Sequence, residues 1–145
     1  MLLRTIAAFL ALTFFLPADA LARQTELFFS VSDAVNSPVG KQKLLDVSFY
    51  FAGQKAPRRK TVLGEWTANR STRGLFRSDS NACQIAFLSA LIALQERAQS
   101  EGGDAIVDIV SATRGRETAS PTEYRCVAGV TVAHVGLAGT VVRLR

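Results

Sequence analysis

The stretch that most restricts the fold runs from residue 78 to residue 111 and reads SDSNACQIAFLSALIALQERAQSEGGDAIVDIVS. Ser78, Asp79 and Ser80 each offer a short side-chain oxygen to the free N–H groups of a helix start, and Gly102 and Gly103 stop what they begin. At 100° per residue, Cys83, Phe87, Leu91, Leu94 and Ala98 fall on one apolar stripe, with Ile85, Leu88 and Ile92 on a second nearly opposite. Only a narrow sector around Ser89, Glu96 and Ser100 stays polar. A helix over about residues 79–101 therefore needs cover on two sides: a sheet against one stripe, and a loop, short helix or second subunit against the other. Beyond the glycines, the β-branched run 105–110 suits a central strand.

The N-terminus sets the compartment. Arg4, the apolar run 6–16 and the small-residue triplets ending at Ala20 and Ala22 have the three parts of a secretory signal. Residues 1–22 thus read as a signal peptide and 23–145 as a single domain, periplasmic or secreted after cleavage near Ala20 or Ala22. The apolar core is shorter than the ~20 residues of a spanning helix, and no cysteine stands at the cleavage site to take a lipid. Outside the cytosol the chain's two cysteines, Cys83 and Cys126, are expected to pair. Closing that loop contributes roughly 4 kcal/mol by chain entropy. The alternative, a redox or metal-binding pair, lacks Cys-x-x-Cys spacing, and the chain adds only one histidine toward a four-ligand zinc site.

Strands are predicted at 26–31, 47–51, 61–70, 105–110, 123–135 and 140–144, with a short helix near 32–45 weakened by Pro38 and Gly40, and Gly64 marking a bulge. Gly136 and Gly139 are read as the turn between the last two strands, and residues 113–122 as a polar hairpin connection. Short links between consecutive elements favour antiparallel neighbours. The expected class is α+β, a mainly antiparallel sheet packed against one long helix.

Charge is the first functional signal. Lys55, Arg58, Arg59, Lys60, Arg70, Arg73 and Arg77 stand against Glu65 alone within residues 55–77, and the whole chain carries a net +5. With Trp66 and Phe76 nearby, they form a candidate patch for an anionic surface such as lipopolysaccharide, phospholipid headgroups or an acidic protein. The competing reading is a solvated loop and edge strand whose cations discourage edge pairing. Nucleic acid is disfavoured, since no recognised nucleic-acid motif is present.

Catalytic signals are weak. His134, the only histidine, lies in the apolar run VTVAHVGL, and no Gly-x-Ser-x-Gly turn presents a nucleophile. Asp104 and Asp108 share a strand face by period two, yet read more simply as a loop cap and an edge or salt-bridged residue. No Gly-x-x-x-x-Gly-Lys-Ser/Thr loop cradles a nucleotide. No catalytic residue, metal site or cofactor is expected.

The segments LGEWTANRSTRG, ACQIAFLSALIALQERAQSEGGDAIVDIVS and TEYRCVAGVTVAHVGLAGTVVRL resemble a family of small exported proteobacterial proteins labelled "excinuclease ATPase subunit". An excinuclease ATPase needs phosphate-binding loops in a much longer cytoplasmic chain, so the label does not fit these residues. More loosely, the helix ending before DAIVDI and the cysteine-bearing strand are similar to YbjQ-type domains and to the RcsF envelope-stress sensor. These similarities imply an α+β sandwich, a helix-to-strand disulfide and homo-oligomers, and carry no catalytic residue over. The expected role is non-enzymatic: binding a partner or an anionic surface in the cell envelope. The alternative is a small-molecule or metal-ion binding module that is oligomeric.

Overall fold

The computed structural model describes residues 24–58 and 61–144. The signal-peptide reading of residues 1–22 lies outside them, as do Arg59 and Lys60. In chain order the elements are β1 (Gln24–Ser30), α1 (Val31–Asn36), α2 (Pro38–Lys43), β2 (Ser48–Phe51), β3 (Thr61–Arg73), α3 (Asp79–Ser100), β4 (Ala105–Ser111), a 3-10 turn (Thr113–Gly115), β5 (Glu123–Gly129) and β6 (Val132–Arg143).

The sheet is mostly antiparallel and is organised around β6. Along one edge β6 pairs with β3 from Arg73↔Val132 to Thr61↔Arg143. Along its other edge it meets first β5, at Val127↔His134, and then β4, from Ser111↔Leu137 to Ala105↔Val142. β1 extends the sheet beyond β5 as an antiparallel neighbour, and β2 extends it beyond β4 as the single parallel one. The mixed α/β class with a mainly antiparallel sheet holds, but the sheet, more than the long helix, is what the elements are arranged on.

Two expectations are corrected. The strand expected over 123–135 is two strands turning at Val130 and Thr131, and β6 runs unbroken through Gly136 and Gly139, where the sequence predicts a turn. Gly136 and Gly139 are there for space: a Cβ on Gly136 meets the Ala112 carbonyl at 2.7 Å, and one on Gly139 meets Ile106 Cγ2 at 2.7 Å. The single helix read near 32–45 is two. Ser37 lies between them, donating its hydroxyl proton to Ala34 C=O at 2.7 Å and accepting from Gly40 N–H at 3.0 Å, with Pro38 opening the second helix. The bulge at Gly64 is present. Pairing slips between Val62 and Gly64, and Gly64 takes φ +151 beneath the Trp66 ring.

The helix α3 begins at Ser78, whose hydroxyl accepts from Asn81 N–H at 3.2 Å. Its first stripe, Cys83, Phe87, Leu91, Leu94 and Ala98, is wholly buried against the sheet with Ala133, Val135, Leu137 and Val141 of β6. Cys83 is bonded to Cys126 of β5 with Cα atoms 5.9 Å apart. One helical turn on, Phe87 stacks on Tyr124, two residues back along β5, with ring centroids 4.0 Å apart. The i, i+4 period of a helix and the i, i+2 period of a strand thus place a covalent and an aromatic contact side by side.

The second stripe ends on Gln95, a fully buried polar side chain. Its amide donates to Leu45 C=O and Val47 C=O and accepts from Leu45 N–H, each at 2.9 Å. The segment between α2 and β2 is thereby tied to the helix, which supplies the cover that the second stripe requires.

Candidate anion-binding site at one end of the sheet

Where β3 ends and β6 begins, Ser71 and His134 are direct partners in the register. Ser71 Oγ lies 3.0 Å from His134 Nδ1. Beside them the chain leaves β4 through the 3-10 turn, in which Arg114 takes φ 57 and Gly115 φ 74. A non-glycine residue in the left-handed region costs on the order of 1 kcal/mol and persists where the surroundings enforce it.

Here the enforcing group is Arg125 of β5, 3 % exposed. Its two terminal nitrogens donate to Thr113 C=O at 3.0 and 2.8 Å, while its Nε lies 3.6 Å from a Glu26 carboxylate oxygen. Thr113 answers by donating its hydroxyl to Arg125 C=O at 2.9 Å and accepting from Gly136 N–H at 3.0 Å. Glu26 also takes Arg116 at 3.1 Å, so that cation is matched at the surface. A buried charge without its counterion is costly, which makes this network a stiff base for the turn.

The result is an open cleft of about 310 Å³ lined by Asn69, Arg70, Ser71, Thr113, Arg114 and His134 among others. A second cleft of about 240 Å³ shares Arg114 and His134 and continues to Val130 and Thr131. Partial burial, and then the Arg114 charge, push the His134 pKa below its ordinary value of 6.5. A carboxylate beside the ring, as a general-base histidine uses, acts in the opposite direction. Arg70 alternates to the other face of β3 from Ser71, and its guanidinium donates to Asn69 C=O at 2.9 Å. The Arg114 guanidinium, an imidazole and a hydroxyl suit a bound anion better than a proton-abstracting dyad.

The basic residues singled out in the sequence divide. Lys55 and Arg58 lie in the loop before β3, whereas Arg70 and Arg73 lie at the other end of that strand and Arg77 just beyond it. Thr61 and Arg70 stand nine positions apart, about 30 Å at a strand's rise. The described members are therefore not one patch. Arg70, Arg73 and Arg77 share their end of the sheet with Arg114 and His134, and Arg114 lies in the stretch 113–122 that the sequence marks only as a polar connection.

The carboxylates read as a pair also separate. Asp104 Oδ1 accepts from Leu144 N–H at 2.9 Å and closes the end of β6. Asp108, at φ 53 in a bulge of β4, lines a different cleft of about 450 Å³ with Glu65, Trp66 and Glu117. Among the described residues, no three His, Cys, Asp or Glu side chains gather as a metal site, and no helix is long and apolar enough to cross a membrane.

No family model matches the chain, and no curated protein does. A similar solved structure is the crystal structure of a protein of unknown function of the DUF74 family from Pediococcus pentosaceus, 17% identical, covering 67% of this chain and 98% of its own, with a TM-score of 0.49.

Proposed function

We propose that the protein is a non-enzymatic binding protein of the cell envelope, and that its ligand is an anionic group taken up between Arg114 and the Ser71–His134 pair. The observation that carries this reading is the buried Arg125–Thr113 network, which holds Arg114 in a left-handed turn over a cleft already lined by Ser71 and His134. Spending a buried, hydrogen-bonded arginine on one exposed turn is what a preorganised site needs and a solvated loop does not. The Cys83–Cys126 bond and the sequence's resemblance to exported proteobacterial proteins support an oxidising envelope compartment.

Calorimetric titration of the mature protein with inorganic phosphate and pyrophosphate at several salt concentrations tests this. Binding is expected to weaken as salt rises, to fall about tenfold or more in Arg114→Glu, and to persist in Arg58→Glu. Equal binding by both variants removes the cleft from the account.

A further inference from the structure

Beyond the cleft, the same end of the sheet carries an apolar tip. Residues 74–77 form a turn closed by Arg77 N–H donating to Gly74 C=O at 3.0 Å. Phe76 takes its third position at φ 63, where such turns favour glycine, and its side chain is 99% exposed. Leu75 beside it is 55% exposed. The turn between β5 and β6 lies alongside, joined by Gly74 N–H to Thr131 C=O at 2.7 Å, and adds Val130 at 59% exposed. A phenylalanine held outward in the left-handed region gains nothing from the fold that holds it.

We infer that this tip, Leu75 and Phe76 with Val130, inserts into an anionic lipid bilayer while Arg73 and Arg77 meet headgroup phosphates. The inference rests on the anion-binding reading above and names the source of the anion. Charge complementarity carries it. Arg70, Arg73 and Arg77 lie in the segment leading through the tip, Arg114 faces the adjoining cleft, and Asp79 is the one carboxylate in residues 70–79. Shape points the same way. Three projecting side chains offer roughly a few hundred Å² of apolar surface, below the ~800 Å² per partner of a stable protein interface. An apolar wedge ringed by arginines matches the boundary between headgroups and acyl chains, which needs no preformed pocket.

The test is co-sedimentation of the mature protein with vesicles of phosphatidylcholine alone or mixed with phosphatidylglycerol, alongside the phosphate titration above. The wild type is expected to bind the mixed vesicles and not the neutral ones. Phe76→Ser and Leu75→Ser together should lower partitioning about tenfold or more while leaving phosphate binding unchanged. Arg73→Gln with Arg77→Gln should reduce it in a salt-dependent way. Vesicle binding untouched by the tip variants overturns the inference, as does phosphate binding without vesicle binding, which leaves the cleft reading intact. Lipid-free self-association abolished by Phe76→Ser, seen by analytical ultracentrifugation without vesicle binding, overturns it in favour of a second copy of this chain. Absence of phosphate binding by the wild type refutes the cleft reading and overturns the inference with it.

Discussion

Ser71 on β3 and His134 on β6 face each other across one rung of the sheet, Oγ to Nδ1 at 3.0 Å, with partial burial and then the Arg114 cation depressing the basicity of the ring. A neutral imidazole held this way accepts from or donates to the hydroxyl according to its tautomer, and Arg114 disfavours a second positive charge.

The first prediction follows from that sign. Arg114→Gln should raise the His134 pKa part of the way back toward 6.5, the contribution of burial remaining. Because the folded-state pKa lies below the unfolded one, the native state binds fewer protons in that window. The associated stability is fully present above about pH 6.5 and is lost as pH falls toward the folded pKa. With one histidine in the chain, its ring proton signals report the titration without ambiguity. Arg114→Gln should flatten the acid-side decline, measured by denaturant unfolding from pH 7.5 to 5.

Gln95 should be among the least replaceable polar residues. Gln95→Leu removes three hydrogen bonds, two to the part-buried backbone of Leu45 and one to the buried Val47 carbonyl. A loss of about 2–4 kcal/mol is expected by urea unfolding, against a near-neutral result for Gln99→Leu on the exposed side of the same helix.

Much of this was legible in the chain, and the exceptions have physical causes. The α3 stripes and caps follow from local chemistry, because period and cap residues act within a few positions. The disulfide followed from compartment logic and a count of two cysteines. Gly136 and Gly139 misled because glycine marks both turns and close approach, and only the partner strand decides which. Arg114 and Ser71 were illegible as site residues, since one depends on the buried Arg125 twelve residues from Thr113 and the other on a rung 63 residues away. The basic run looked contiguous in sequence because a strand's 3.3 Å rise, which separates its ends, leaves no mark on composition.

The Cys83–Cys126 bond ties the start of α3 to β5 across 43 positions. Reduction, or the Cys83→Ser, Cys126→Ser double variant, should cost about 4 kcal/mol and lower Tm by roughly 15 °C. Differential scanning calorimetry with and without dithiothreitol provides the comparison. Identical transitions would mean that the Phe87–Tyr124 stack and the core around it hold the helix unaided.

Tyr124 predicts the alkaline limit. Burial raises its phenol well above the usual 10, so the native state keeps a proton that the unfolded chain releases. That contribution is present below about pH 10 and is lost as pH rises beyond it. Tyr124→Phe should preserve the stack while losing stability less steeply between pH 9.5 and 11.5, as followed by circular dichroism.

The most direct measurement of the central claim is the NMR titration of His134 at constant ionic strength with and without saturating inorganic phosphate. An anion seated between Arg114 and His134 stabilises the imidazolium, so the wild-type pKa should rise on phosphate addition and rise far less in Arg114→Gln. Superimposable wild-type curves would contradict the account.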